Sequence, residues 1–285
     1  MESGKSMSKI EKTLIWAKEK QREANKGTGK KPRIGAERYP HRKVPRENDG
    51  AKWIETLHVE TSDAAESFES RVILDDSQDE RIRSSYKMLR TRTLQRMRQN
   101  DWHVIGVTSP SQGDGKSLTS VNLALSLARE VTLSVVLVEL DLRRPTMCHQ
   151  FGVSPSKGIS DYFDGKAQLD DVLFRPEGTE RLAVLPNTEI YENSSETLSS
   201  PKVATLIDEL RGTDPGRVII CDLPPYLATD DVLAFAPLAD AFLVVISEGK
   251  TSRDALAKGM DILQDLPVLG VVLNRSEEAT TGYYY

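Results

Sequence analysis

His103-Val104-Ile105-Gly106-Val107-Thr108-Ser109-Pro110-Ser111-Gln112-Gly113-Asp114-Gly115-Lys116-Ser117 is a short apolar run that breaks into a glycine-bearing turn. From Lys116 to Glu130 the pattern changes, and Val121, Leu123, Ala124, Leu127 and Ala128 mark the inward side of a helix. Strand, loop and helix in that order form the setting of a phosphate cradle. Gly113 and Gly115 let the backbone turn its N–H groups inward, and the helix start adds the positive end of its dipole. Lys116 offers a point charge to β- and γ-phosphates, and the Ser117 hydroxyl is suited to Mg²⁺. Pro110 stands where the strict pattern has its first glycine.

Two further strands end in acids. Val135-Val136-Leu137-Val138-Glu139-Leu140-Asp141-Leu142-Arg143-Arg144-Pro145 is one, and Val218-Ile219-Ile220-Cys221-Asp222-Leu223-Pro224-Pro225 is the other. In a parallel sheet the carboxyl ends of such strands share one edge with the phosphate loop. A buried carboxylate is expensive without a cation, and a nucleotide-bound Mg²⁺ supplies one.

The whole chain supports that setting. It has 285 residues and 38% hydrophobic content, enough for a substantial core, which excludes global disorder. Two cysteines exclude a disulfide scaffold and a zinc site built on cysteines. Mean hydropathy is -0.42, and no apolar run reaches the ~18 residues of a membrane span. The expectation is a cytoplasmic protein. Residues 1–60 hold 15 Lys+Arg against 9 Asp+Glu, whereas the remainder holds 23 against 34. A basic head therefore precedes an acidic body.

Residues 8–26 read as a short amphipathic helix, and 27–50 as a linker rich in Gly, Pro, Lys and Arg. Residues 79–99 read as a charged helix, and Leu182–Leu185, Arg217–Cys221, Phe242–Ser247 and Val268–Asn274 as further strands. Continuous apolar strands with helices between them predict an α/β fold, mostly parallel, with helices on both faces of the sheet. The predicted organisation is a basic N-terminal helix and flexible linker over 1–77, a catalytic domain over 78–275, and a tail over 276–285 that ends in Tyr283, Tyr284 and Tyr285. Cys221 reads as a small buried apolar residue. Cys148 and His149 lack the further ligands of a metal site.

The loop, the Glu139-x-Asp141-x-Arg143 strand end and the Asp222-x-Pro224-Pro225 strand end together resemble the bacterial tyrosine kinases, or BY-kinases, of polysaccharide export. In that family they are the Walker A, A′ and B segments of a P-loop NTPase of the deviant Walker, partition-ATPase-like group. The resemblance runs over roughly 80–275 and includes Phe151-Gly152, Gly158-Ile159-Ser160-Asp161-Tyr162 and Gly270–Asn274. The opening Met7-Ser8-Lys9-Ile10-Glu11-Lys12 resembles the subgroup found beside exosortase loci. Three positions depart from the family pattern. Glu139 replaces the usual Asp. Ser84, with Lys87 and Arg90, stands where the family's Glu-x-x-Arg-x-x-Arg oligomer motif has its Glu. The tyrosine cluster is short.

The resemblance implies a protein-tyrosine autokinase that uses ATP and Mg²⁺ and regulates exopolysaccharide synthesis or export. Lys116 and Asp141 would be catalytic. Gln112, Gly113, Asp114, Gly115, Lys116, Ser117, Leu118 and Asn274 would bind the nucleotide. Ser117, Asp141, Asp222 and Glu139 would serve the metal. Tyr283, Tyr284 and Tyr285 would be autophosphorylated in trans, and the tail, at most ~33 Å extended, leaves from the active edge. The partners implied are a second copy of the chain and a separate inner-membrane activator of the chain-length-determinant type, with no nucleic acid. The protein would then be peripheral to the inner membrane. The alternatives are a partition or cell-division ATPase, disfavoured by Ser111 at that group's extra lysine, and a catalytically weak nucleotide-binding scaffold.

Overall fold

The structure, a computed structural model, describes residues 49–61, 72–73 and 79–276. The predicted head helix, most of the linker and the terminal tyrosines lie outside them. Among the described residues, eight strands form one sheet in the order β1-β4-β5-β3-β6-β2-β7-β8. They are β1 (His58–Glu60), β2 (Val104–Thr108), β3 (Ser134–Glu139), β4 (Phe174–Pro176), β5 (Leu182–Leu185), β6 (Arg217–Asp222), β7 (Ala241–Ser247) and β8 (Val268–Asn274). Only the β4–β5 pair among the described residues is antiparallel.

The helices are α1 (Asp49–Thr56), α2 (Glu80–Asn100), α3 (Lys116–Ala128), α4 (Met147–Phe151), α5 (Ile159–Phe163), α6 (Leu169–Val172), α7 (Ser194–Leu198), α8 (Pro201–Arg211), α9 (Asp231–Phe235) and α10 (Arg253–Ile262). Alternate residues of each central strand feed two separate cores. Val135, Leu137, Val218, Ile220, Leu243 and Val245 pack with α2, α3 and α4. Val136, Val138, Ile219, Cys221, Val244 and Ile246 pack with α1, α5, α8, α9 and α10. Every residue of β2, β3, β5, β6 and β7 is buried. This is why the strands carry no polar alternation in the sequence. Gly106 is needed in β2 because a Cβ there would sit 2.7 Å from the Phe242 ring and 2.8 Å from Leu223.

Register builds the active edge. Val107 of β2 pairs with Asp222 of β6, and Asp222 with Glu139 of β3. Both acids thus sit level with the end of the strand that launches the phosphate loop. The Thr108 hydroxyl donates to Pro224 O at 2.7 Å, and Leu223 N–H to Val107 O at 2.9 Å. These bonds tie the two strand ends together just before the loop.

The reading of 1–77 as helix and flexible linker is corrected for its last part. Residues 49–61 form α1 and β1 and are docked on the domain. Ile54 is fully buried and Leu57 nearly so. Trp53 lies under the Arg217 guanidinium, 4.5 Å from ring centroid to Cζ, and its Nε1–H donates to Asp170 Oδ1 at 2.9 Å. Arg217 is itself buried and donates to Ser134 Oγ and Leu210 O. Trp53 therefore covers a cation that has been taken out of water. Glu130, at the α3–β3 turn, pairs with Arg90 of α2 at 3.2 Å and ties the two helices together. Truncating Ile54→Ala should lower stability by about 2–5 kcal/mol in urea denaturation. A segment hanging free of the domain would show no change.

Candidate active site

The loop between β2 and α3 is built by its own carbonyls. Ser109 Oγ donates to Ser111 O at 2.8 Å. Lys250 Nζ donates to Gln112 O at 2.8 Å, Arg275 Nη2 to Gly113 O at 3.1 Å, and Asn274 Nδ2 to Asp114 O at 2.9 Å. Thr119 caps Gly115 O with both its N–H and its hydroxyl. The Asp114 side chain is fully buried and turned inward. One oxygen accepts the Ser111 N–H at 2.9 Å and the other the Thr251 hydroxyl at 3.0 Å. Gly113 and Gly115 have φ of +77° and +92°, in the left-handed region that glycine adopts without strain. A Cβ on Gly113 would also clash with Lys250 Nζ, and one on Gly115 with Asn274 Nδ2.

Beside this loop Lys116 holds the centre. Its Nζ lies 2.7 Å from Asp141 Oδ2 and 3.5 Å from Asp222 Oδ2, and 3.2 Å from Ser117 Oγ. Lys116, Asp141 and Asp222 are all buried. Burial is the largest influence on Lys116 and pulls its pKa down. The charges of Asp222 and Asp141 outweigh it, so the net shift is upward and the ammonium stays charged. Burial pushes Asp222 up, and Lys116 pulls it back. Ser120, one turn into α3, donates to Asp222 Oδ1 at 3.1 Å and fixes that carboxylate.

The structure thus brings together Gln112, Gly113, Asp114, Gly115, Lys116, Ser117, Asp141, Asp222 and Asn274. Leu118 is half-buried and packs against the core under α3. Glu139 differs from its expected place in the metal site. Its Oε1 accepts the N–H groups of Thr146 and Met147, and its Oε2 accepts that of Asn187 at 3.1 Å. It holds the start of α4 and the β5 loop, and the longer Glu side chain reaches amides behind the site. Asn274, expected to bind the nucleotide, bonds the loop itself. Lys250, Thr251 and Arg275 escaped the sequence reading because nothing but the strand order brings them to the loop, and Ser120, one turn into α3, escaped it because a helical serine carries no signal of its own.

The donor set fits a Mg²⁺-nucleotide. A loop with two glycines at positive φ leads into a helix start, a lysine stands at its end, and a hydroxyl and two carboxylates lie beside it. No group of three or more His, Cys, Asp or Glu among the described residues is arranged to hold a metal ion alone. A Mg²⁺ ion here would therefore complete its shell with phosphate oxygens and water.

A fold and cradle of this kind define a P-loop NTPase of ParA type. The ParA family profile, described as NUBPL iron-transfer P-loop NTPase, matches residues 101–281. The tyrosine-protein kinase YwqD of Bacillus subtilis is 31% identical over 183 residues, covering 62% of this chain and 76% of that protein. The succinoglycan biosynthesis transport protein ExoP of Rhizobium meliloti is 27% identical over 237 residues, covering 80% of this chain but 29% of that protein. The kinase domain of the Escherichia coli tyrosine kinase ETK superposes with a TM-score of 0.62 at 25% identity, covering 71% of this chain and 79% of that one. Within the ParA-type NTPases, the chain belongs to the bacterial tyrosine-protein kinases.

Glu139 carries a pH signature. Burial, only partly offset by its three amide bonds, raises its carboxyl from 4.5 to about 7. The folded state therefore binds the proton more tightly than the unfolded chain does. Stability from this group is full below pH 4.5 and is lost as pH rises through about 7. Glu139→Gln should flatten that part of the stability–pH curve, by about 3 kcal/mol between its ends. Urea midpoints measured from pH 4 to 8 check this, and parallel curves for variant and wild type would refute it.

Proposed function

We propose that this chain transfers the γ-phosphoryl group of ATP to tyrosine hydroxyls and so regulates exopolysaccharide synthesis or export. The observation that carries this reading is the Lys116 ammonium, held 2.7 Å from Asp141 and 3.5 Å from Asp222 at the mouth of the phosphate loop. Such a centre suits a reaction in which positioning and charge neutralisation do most of the work.

Each residue then has a role. The amides of 113–117 receive the β- and γ-phosphates. Lys116 exchanges its carboxylate partners for phosphate oxygens. Ser117 and Asp222 would hold Mg²⁺, which would supply neutralisation of the phosphate charge. Asp141, freed from Lys116, accepts the tyrosine hydroxyl as a hydrogen-bond partner. An ordinary carboxylate near pKa ~4 is a weak base for a phenol near ~10, so its main task is orientation, with the proton moving late.

The acceptors proposed are Tyr283, Tyr284 and Tyr285, phosphorylated in trans by a second copy. They lie outside the described residues. Among the described residues no helix is long and apolar enough to cross a membrane. The relative ExoP, named a succinoglycan biosynthesis transport protein, supports a partner from polysaccharide transport. That partner, of the chain-length-determinant type, would bring the kinase to the inner membrane.

Purified chain with ATP, Mg²⁺ and the cytoplasmic tail of the partner should gain phosphotyrosine on Tyr283–Tyr285. Lys116→Met should lose more than about a hundredfold of that activity. It also leaves two buried carboxylates unpaired, so a second variant is needed. Replacing all three tail tyrosines with Phe should keep ATP binding and abolish the label. ATP hydrolysis with no phosphotyrosine in the wild type would overturn the kinase reading.

A further inference from the structure

A trans peptide points its C=O and the next residue's N–H in opposite directions. No peptide among the described residues is cis. The carbonyls of Gln112, Gly113 and Asp114 are each pinned on the outer side of the loop by one side chain: Lys250, Arg275 and Asn274. The N–H groups of Gly113, Asp114 and Gly115 are therefore aimed the other way, into the cradle. The three donors come from one place, the adjacent ends of β7 and β8, where Ser247 pairs with Asn274. The turn bearing Lys250 is itself anchored, since Ser247 N–H donates to Thr251 Oγ1 at 2.8 Å and Thr251 donates to the loop's Asp114.

We infer that Lys250, Asn274 and Arg275 form a clamp of positioning residues that presets three phosphate-binding amides before the nucleotide arrives. The inference rests on the loop being a nucleotide cradle and deepens that reading. It gives Asn274 a role on the backbone of the loop. It also gives Gly113 and Gly115 a second reason to be glycine. Beyond their positive φ, they leave room for Lys250 and Asn274 to lie against the backbone.

A clamp that orients amides acts on the phosphates they bind and not on the nucleoside. Lys250 and Arg275 are exposed, so removing their side chains leaves the core intact. Calorimetric titration of the full chain with ADP-Mg²⁺ and with AMP separates the effects. Lys250→Met, Arg275→Met and the isosteric Asn274→Asp, which removes the donor, should each weaken ADP about tenfold and leave AMP unchanged. Lys250→Arg, which keeps a donor, should restore most of the ADP affinity. In phosphotransfer assays the same variants should raise KM for ATP more than they lower kcat. Unchanged ADP affinity in all three variants would overturn the clamp. Equal losses for ADP and AMP would also overturn it, by making these side chains direct nucleoside contacts. Failure of the wild type to bind ADP at all would overturn the nucleotide reading itself, and the clamp with it.

Discussion

An ammonium group and two carboxylates share the carboxyl edge of the sheet, and all three are out of water. None of them is tolerable there alone, because removing one partner of a buried ion pair typically costs about 3–5 kcal/mol. Lys116 rises from the first turn of α3, while Asp141 follows β3 and Asp222 is the last residue of β6. The ion cluster therefore ties two strand ends to the helix that opens the cradle. The order β3-β6-β2 is what makes this possible, since it sets both acidic strand ends on one side of the loop. The opposite side, with β7 and β8, is left to hold the loop's outer carbonyls.

This division explains why the two flanks of the loop carry different chemistry. On the β6 side the groups are charged and able to exchange partners, as a site that takes up a triphosphate requires. On the β8 side the bonds run from side chain to backbone and hold the loop's shape. The buried Asp114 belongs to the second group although it lies within the loop. Its carboxylate satisfies Ser111 and Thr251 and does not face the cradle. Glu139 behaves likewise. Its carboxylate accepts the N–H groups of Thr146, Met147 and Asn187 and so serves the amides behind the site.

Much of this was legible in the sequence, for identifiable reasons. Five of the central strands are buried on both faces, so they appear as unbroken aliphatic runs with boundaries within a residue or two of those observed. Asp141 and Asp222 could be read because position after such a run is enough to place them at the edge. The short strands β1 and β4 gave no such signal. With three residues each they are too short for a period to show, and Pro176 within β4 reads as a breaker. The docking of α1 was hidden for another reason. Trp53 and Ile54 are two apolar residues in a polar neighbourhood, and only distant partners make sense of them: Arg217 and Asp170 for Trp53, and the core for Ile54. Lys250, Asn274 and Arg275 converge through strand pairing alone, which no local pattern encodes.

The distances along the chain between the loop and its outer anchors have a consequence for how the protein comes into being. Lys250, Asn274 and Arg275 lie 138, 160 and 162 residues beyond the carbonyls they hold. A ribosome that has just released the phosphate loop has therefore delivered its glycines and lysine but none of those three supports. Contacts of such separation also form late and slowly during folding. The nascent chain thus passes most of its synthesis with a complete phosphate-binding sequence in an unsupported shape. Competence to grip a triphosphate should arise abruptly, once β8 pairs with β7, so that the last strand of the sheet sets the moment at which the kinase becomes able to use ATP.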